Sequence, residues 1–361
     1  MRLTPFRRSL AGDGGVIAIA DTRKRLVTRL THRVEALPIL ALTVHTACNC
    51  RCVMCDIWKA NADKREIAPA VLDRHLGDLR ALRVQRVMLT GGEPLLHSNL
   101  WALCDRLQDA GIRVTLITTG LLLGSHAEPI GRAIDEVVVS IDGPPDVHDG
   151  IRRVKDGFHR IARGLQALQS QPRVPRTVVR SVVQRANHAR LTPTIDAVRR
   201  LGVDQLSFLT ADVSSPAFNR PEPWPADRVA EVALSRDQVF ALEAAIQDVA
   251  TRCRDALAAG FVVGGLGTLQ RIHAYYAALA GLGRFPPVRC NAPWVSAVLE
   301  ADGSVRPCFF HPAYGPSAET GLSQALNAPE AIAFRASLDV RTNETCRRCV
   351  CSLHLSPFAR V

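Results

Sequence analysis

The sequence predicts an α/β fold: a partial (β/α)6 TIM-like barrel followed by a small C-terminal piece held together by metal. Short, β-branched apolar runs alternate with amphipathic stretches from Ile39 onward, the pattern of βα units on a parallel sheet. The alternation yields six units, short of the eight that close a barrel. Most of the eleven cysteines bunch near the two ends of the sequence. The later group lies in a stretch too small and too irregular to build much core of its own.

Residues 1–38 form an N-terminal arm. Within it, "TRKRLVTRLTHRVEAL" places Leu26, Leu30, Val34 and Leu37 at helical spacing, predicting a basic amphipathic helix docked on the chain's own barrel, with a membrane surface as the alternative. Residues 39–210 carry the strands "ILALTVHT", "RVMLT", "RVTLITT", "EVVVSID", "RTVVRSVV" and "QLSFLT". Helical stretches fall between them near 69–82, 98–110, 125–134, 157–170 and 191–201. Residues 211–285 open with the proline-rich "DVSSPAFNRPEPWP" and continue into helices near 236–258 and 268–282. Residues 286–361 hold the second cysteine group.

At 361 residues and 47% hydrophobic composition, the chain has material for one large domain and a smaller one. The opening segment lacks a secretory apolar core, and no run approaches the roughly 18 apolar residues of a membrane helix. A soluble, cytoplasmic protein is expected, and in that reducing compartment clustered cysteines indicate metal or catalysis rather than disulfides. The net charge of +11 comes from scattered arginines without interleaved aromatics, so it reads as a solvated surface and no nucleic-acid partner is expected.

The chemistry concentrates in "CNCRCVMCDIW". Cys48, Cys52 and Cys55 have C-x3-C-x2-C spacing in the loop after the first strand. Three thiolates from one loop can hold three irons of a four-iron cluster and leave the fourth open. Zinc is the competing reading, with Cys50 completing a tetrahedron. "LTGGEP" ends the second strand with two glycines, whose backbone can approach a ligand closely, then a carboxylate. "VSIDGP" ends the fourth strand with a hydroxyl and a second carboxylate. All three lie at strand C-termini, where barrel chemistry gathers.

With these motifs in this order, the chain resembles the radical S-adenosylmethionine enzymes from about Ile39 to the C-terminus. That resemblance implies that Cys48, Cys52 and Cys55 ligate a [4Fe-4S] cluster whose open iron binds S-adenosyl-L-methionine. Reductive cleavage then yields a 5′-deoxyadenosyl radical that abstracts hydrogen from substrate. Thr90, Gly91, Gly92, Glu93 and Pro94 match the motif holding the methionine amino group, while Ser140 and Asp142 match a serine and acid near the nucleoside. Thr118 falls at a ligand-contacting strand end, and Arg180 lies where a basic residue meets the carboxylate. The sequence departs from the pattern at Met54, where relatives carry an aromatic, and at Thr119, where they carry asparagine. Met54 is open to two readings: apolar contact with adenine, or an ordinary core methionine. His148, Asp149 and Arg152 resemble an H-D-x-x-R stretch, read as locking the turn and the next helix rather than moving protons.

In the C-terminal piece, apolar alternation on either side of Asp302-Gly303 predicts a hairpin with Cys290 and Cys308 at its ends, followed by "CRRCVC". Zinc or an iron–sulfur cluster fits this count. The arrangement resembles the twitch domain, the short form of the SPASM extension. This implies that Cys290, Cys308, Cys346 and Cys349 ligate one auxiliary [4Fe-4S] cluster, with Cys351 either replacing Cys349 or standing by as a bystander. Cys104 and Cys253 read as small buried hydrophobes.

The function expected is that of a radical oxidoreductase oxidising or crosslinking a small molecule. The alternatives are modification of a ribosomally made peptide and, distantly, a zinc-binding protein without catalysis. The arm of 38 residues is too short for the leader-binding winged helix common in peptide enzymes, which tilts the expectation toward a small molecule. An electron donor such as flavodoxin or ferredoxin is implied. No catalytic acid or base is identifiable, although Asp212 lies near the expected barrel mouth.

Overall fold

The computed structural model describes residues 19–220, 222–314 and 321–361. The six predicted strands are present as β1 (Ile39–His45), β2 (Arg86–Gly91), β3 (Arg113–Thr118), β4 (Glu136–Ser140), β5 (Arg176–Val183) and β6 (Gln205–Thr210). Each pairs in parallel with the next. The helices between them are α2 (Pro69–Ala81), α3 (Leu100–Asp109), α4 (Ala127–Ala133), α5 (Pro145–Arg152), α6 (Gly157–Gln169) and α7 (Leu191–Arg199). Parallel strands are apolar on both faces because helices cover one side and the barrel core fills the other. β1 is buried along its whole length.

The sheet extends beyond the six units. β7 (Ser296–Leu299) pairs in parallel with the free edge of β1, and β8 (Val305–Arg306) pairs antiparallel with β7. Among the described residues this gives one open, eight-stranded sheet ordered β6-β5-β4-β3-β2-β1-β7-β8. The C-terminal hairpin is therefore present as read, turning at Gly303 with φ +84°, and it also covers the edge of the barrel. The opposite edge is covered by the segment around residues 261–263, where Phe261 O and Val263 N bond to Leu206. At the N-terminal ends of the strands a polar layer ties β2 to β6: Arg86 donates to Thr115, and Arg176 reaches both Glu136 and Gln205.

Three elements differ in detail from the sequence reading. α1 (Ile19–Thr31) does dock on the chain's own body, but Leu26 and Leu30 are 41% and 80% exposed. Its inner face is polar: Thr28 Oγ1 accepts the Glu35 N–H at 2.9 Å, and Arg25 donates to the carbonyl of Ala359. The helix stops at Thr31, His32 adopts φ +58°, and Val34 and Leu37 are buried beyond it, so the leucine periodicity ran through a helix end. The predicted 236–258 helix breaks at Cys253 into α9 (Arg236–Arg252) and α10 (Arg254–Ala258), after the short α8 (Ala226–Val232). The next helix, α11 (Gly265–Leu279), starts slightly earlier than predicted. α12 (Ala292–Val295), α13 (Leu322–Leu326), α14 (Pro329–Ser337) and α15 (Glu344–Arg347) complete the C-terminal segment. Among the described residues no helix is long and apolar enough to cross a membrane.

Candidate cluster and cofactor site

The cysteine loop is built where three strand ends meet. After β1 the chain turns at His45 and Ala47, and the end of β2 lies directly against it: Gly92 N donates to His45 O at 2.8 Å and Glu93 N to Ala47 O at 2.9 Å. A Cβ on Gly91 would stand 2.2 Å from His45 O, and one on Gly92 2.1 Å from Ala47 O. The close approach that requires these glycines is thus made to the cysteine loop. Glu93 is fully buried and accepts from Leu95 N, Thr118 Oγ1, Thr119 N and Thr119 Oγ1 at 2.7–3.0 Å. Burial raises its pKa. Thr119, in the place of the expected asparagine, also bonds to Asn49 of the cysteine loop.

From β4, Asp142 is equally buried. Its carboxylate accepts Val182 N at 2.8 Å and Arg152 Nε at 2.6 Å. Arg152 then extends to Cys52 Sγ at 3.6 Å. His148 Nδ1 accepts the Asp142 N–H, so the H-D-x-x-R stretch locks the strand end, as read, but as a helix of its own, α5. The carbonyls of Ile151 and Arg152 receive Val53 N and Arg51 N. Asp149 Oδ1 accepts the Phe158 N–H at the start of α6.

That backbone pairing also places Cys50, the fourth cysteine of the loop. Along an extended stretch, side chains alternate. Arg51 faces solvent, while Cys50 and Cys52 share the inner side. Cys50 is 2% exposed and its thiol bonds with those of Cys48 and Cys52. The Cys50 hydrogen bond, followed by Arg152, draws the Cys52 thiol down to about 6 against the cost of burial. Burial pushes Cys55 up to about 12.

The remaining predicted contacts lie along the barrel. Thr90 stands opposite Thr43, and Ser140 stands opposite Arg180, each half-buried. Arg180 Nε, within β5, and both amide atoms of Gln184, just past its end, are buried without hydrogen-bond partners among the described residues, the condition of groups suited to a polar ligand. Met54 is buried in the core cluster and Pro94 begins a single helical turn after β2.

The second cysteine group comes from the C-terminal segment: Cys290 just before α12, Cys308 just after β8, and Cys346 and Cys349 in and just after α15. Among the described residues no three His, Cys, Asp or Glu side chains converge as ligands of one metal ion. The thiols nevertheless share a recurrent backbone geometry. Cys55 Sγ accepts Ile57 N at 3.5 Å, Cys290 Sγ accepts Ala292 N at 3.4 Å, and Cys349 Sγ accepts Cys351 N at 3.4 Å. Cys308 takes the N–H groups of Phe310 and His311. Amides aimed at sulfur stabilise a thiolate, the form that binds iron, so these donor sets fit iron–sulfur clusters. Burial pushes Cys308 up to about 11 and Cys346 up to about 12. Cys351 is exposed, whereas Cys349 is not. Cys104, in α3, and Cys253, at the break between α9 and α10, are both buried, as expected.

A cavity of about 280 Å³ lies between the end of β6 and this group, lined by Asp212, Ser214, Ser215, Phe310, Arg348 and Cys349 among others. Asp212 is buried against Arg220 and accepts from Ser215. The connector holding these residues also covers the first cysteine loop: Trp224 Nε1 donates to Asp56 at 2.8 Å, and Arg228 donates to Val53 O. Asn61 fastens Cys48 by reciprocal backbone bonds of 2.9 Å. Sequence reasoning missed Asn61, Trp224 and His311. Only His311, three residues after Cys308, carried a recognisable spacing signal.

Comparison with known proteins agrees with this arrangement. Residues 42–208 match the radical SAM superfamily, and residues 290–350 match the SPASM iron–sulfur cluster-binding domain. PqqA peptide cyclase from Ruegeria pomeroyi is 29% identical over 68% of this chain and 60% of its own length. Pre-heme d1 synthase from Dinoroseobacter shibae is 27% identical over 46% of this chain and 42% of its own. The chain thus spans about half the length of the curated relatives it matches. Among solved structures, Streptococcus suis SuiB bound to its precursor peptide SuiA superposes with a TM-score of 0.63 at 14% identity, covering 94% of this chain and 78% of that one. AdoMet-bound anSMEcpe gives 0.62 at 17% identity, covering 86% of each. [4Fe-4S] clusters and S-adenosylmethionine are the cofactors of this architecture. The open parallel barrel, the cysteine loop pinned by three strand ends and the cysteine-bearing hairpin on its edge make this chain a member of the radical SAM superfamily with a C-terminal SPASM-type domain.

Proposed function

We propose that this chain is an enzyme that oxidises or crosslinks a peptide substrate by hydrogen abstraction, with an auxiliary cluster removing the remaining electron. S-adenosylmethionine at a reduced cluster held by Cys48, Cys52 and Cys55 supplies the 5′-deoxyadenosyl radical. Cys290, Cys308, Cys346 and Cys349 hold the auxiliary cluster. Thr90, Ser140, Arg180 and Gln184 orient the S-adenosylmethionine, and the backbone of Gly91, Gly92 and Pro94 shapes its bed. Glu93, Asp142 and Thr118 act from beneath it, by fixing the loops.

The observation that carries this reading is the cavity shared by the end of β6 and Cys349. A substrate group there adjoins both the barrel mouth and an auxiliary thiolate, so hydrogen loss and electron removal happen at one place. Its volume suits one or two side chains, and it opens to solvent as a longer peptide requires. The names of the relatives, a peptide cyclase and a protein seen with its precursor peptide, support a peptide over the small molecule expected from sequence. A small molecule is the second reading, supported by the pre-heme d1 synthase match and by the modest cavity.

Anaerobic purification should yield a brown protein with about eight irons per chain, four for each cluster. Dithionite with S-adenosylmethionine should release 5′-deoxyadenosine. Cys290→Ala combined with Cys308→Ala should halve the iron yet keep this cleavage; loss of cleavage with an iron-free first site would refute the division of the thiols. Deuterated candidate peptides and small molecules, scored by deuterium in the deoxyadenosine, then separate the two substrate readings.

A further inference from the structure

Three of the four auxiliary thiols, Cys290, Cys308 and Cys349, accept backbone N–H groups from residues just beyond them. Cys346 differs. Its Sγ lies 3.3 Å from His311 Nε2, a side-chain nitrogen. His311 is 5% exposed and doubly held: Arg306 donates to its carbonyl, and Phe334 of α14 packs edge-on against its ring with centroids 5.0 Å apart. A ring fixed this firmly keeps Nε2 on the sulfur rather than sampling it.

We propose that His311 is a positioning residue for the auxiliary cluster: its Nε2–H donates to the Cys346 sulfur, supplies the hydrogen bond that backbone amides supply at the other three ligands, and so sets the cluster's reduction potential. The proposal rests on the reading of Cys346 as a ligand. The physical basis is general. Reduction places added negative charge on the cluster and its sulfurs, and a donor aimed at sulfur stabilises that state more than the oxidised one. The neutral imidazole must then carry its proton on Nε2, which leaves Nδ1 as the acceptor. Such a residue adjusts how readily the cluster takes an electron from the adjoining cavity, because Phe310, its chain neighbour, lines that cavity.

The test is an EPR-monitored redox titration of the full chain, performed in a Cys48→Ala/Cys52→Ala/Cys55→Ala background so that only auxiliary iron reports. His311→Phe keeps a ring against Phe334 and removes the donor. It should retain about four irons and move the midpoint potential negative by an amount equivalent to roughly tenfold in the redox equilibrium, about 59 mV for one electron. His311→Gln, whose amide can donate from a similar position, should recover most of that shift. An unchanged potential in His311→Phe at full iron overturns the proposal. Loss of the cluster in both variants also overturns it, since it would make the imidazole an iron ligand. Failure of the underlying reading looks different: Cys346→Ala would then leave iron and potential untouched.

Discussion

Arg152→Met is the perturbation whose cost follows most directly from the structure. Arg152 and Asp142 form an ion pair of 2.6 Å with side-chain exposures of 10% and 0%. Removing the guanidinium leaves a carboxylate buried among apolar strands with one backbone donor, Val182 N. Breaking such a pair from one side costs about 3–5 kcal/mol, a large share of the about 5–15 kcal/mol that holds a domain together. If uncompensated charge is the cause, Asp142→Asn in the same chain should recover most of the loss, because the amide oxygen still accepts from Val182 N and no charge remains. We expect the double variant within about 2 kcal/mol of the parent. Guanidinium unfolding of the iron-free, reduced chain measures all four corners of this cycle. A cost below about 1 kcal/mol for Arg152→Met, or a double variant no more stable than Arg152→Met, would refute the assignment of this pair as the lock between β4 and the cysteine loop.

The cysteine loop itself gives a sharper contrast. Cys50→Ser should keep the first cluster, because serine puts a small hydrogen-bonding hydroxyl in place of the thiol beside Cys48 and Cys52, whereas serine at Cys48, Cys52 or Cys55 should abolish it; iron analysis and EPR decide. Gly92→Ala, whose Cβ would collide with Ala47 O at 2.1 Å, should lose iron and stability together. Gly77→Ala in α2 meets nothing within 4 Å and should stabilise the chain by about 0.5–1 kcal/mol in thermal unfolding. Burial, then Arg152, lowers His148 to about 4, below its unfolded value. The unfolded chain therefore takes up the proton first, and stability falls as pH drops from about 6.5 toward 4, by on the order of 3 kcal/mol. His148→Asn should flatten that slope in the iron-free chain.

The strands were legible because each is a short β-branched run ending at a chemically distinct motif, and the parallel order followed from their alternation with helices. α5 was not, since "PDVHDGIR" is short and polar, and its role as a helix depends on Arg152 finding Asp142 and Cys52. The docking of β7 on β1 joins segments far apart in sequence, so no local pattern announces it. α1 misled for a physical reason. Its leucines advertised an apolar face, while the docked face instead satisfies backbone groups through Arg25 and Thr28. Glu93 and Asp142 were legible as functional positions but not as buried acceptors, because a motif records which residue is needed and not which partner it has.

These partners explain why the site is composite. The first cysteine loop is held from the β2 side by glycine-to-carbonyl contact, from the β4 side by α5, and from above by the connector after β6. The connector joins this loop to the cavity without a break: Asp212 pairs with Arg220, Arg220 lies 4.6 Å over the Trp224 ring, and Trp224 bonds to Asp56 directly after Cys55. Arg220 is buried, so neither contact is exchanged cheaply for water. A substrate group that competes for Asp212 must therefore disturb the support of the cysteine loop, or be admitted by a geometry that leaves the Asp212–Arg220 pair intact. The second is the lower-energy course, because separating a buried ion pair costs several kcal/mol by order of magnitude. Asp212 thus forms a fixed wall of the cavity, and on the proposed function a substrate group would meet the Arg348 guanidinium across the cavity as a hydrogen-bond donor rather than a free Asp212 carboxylate.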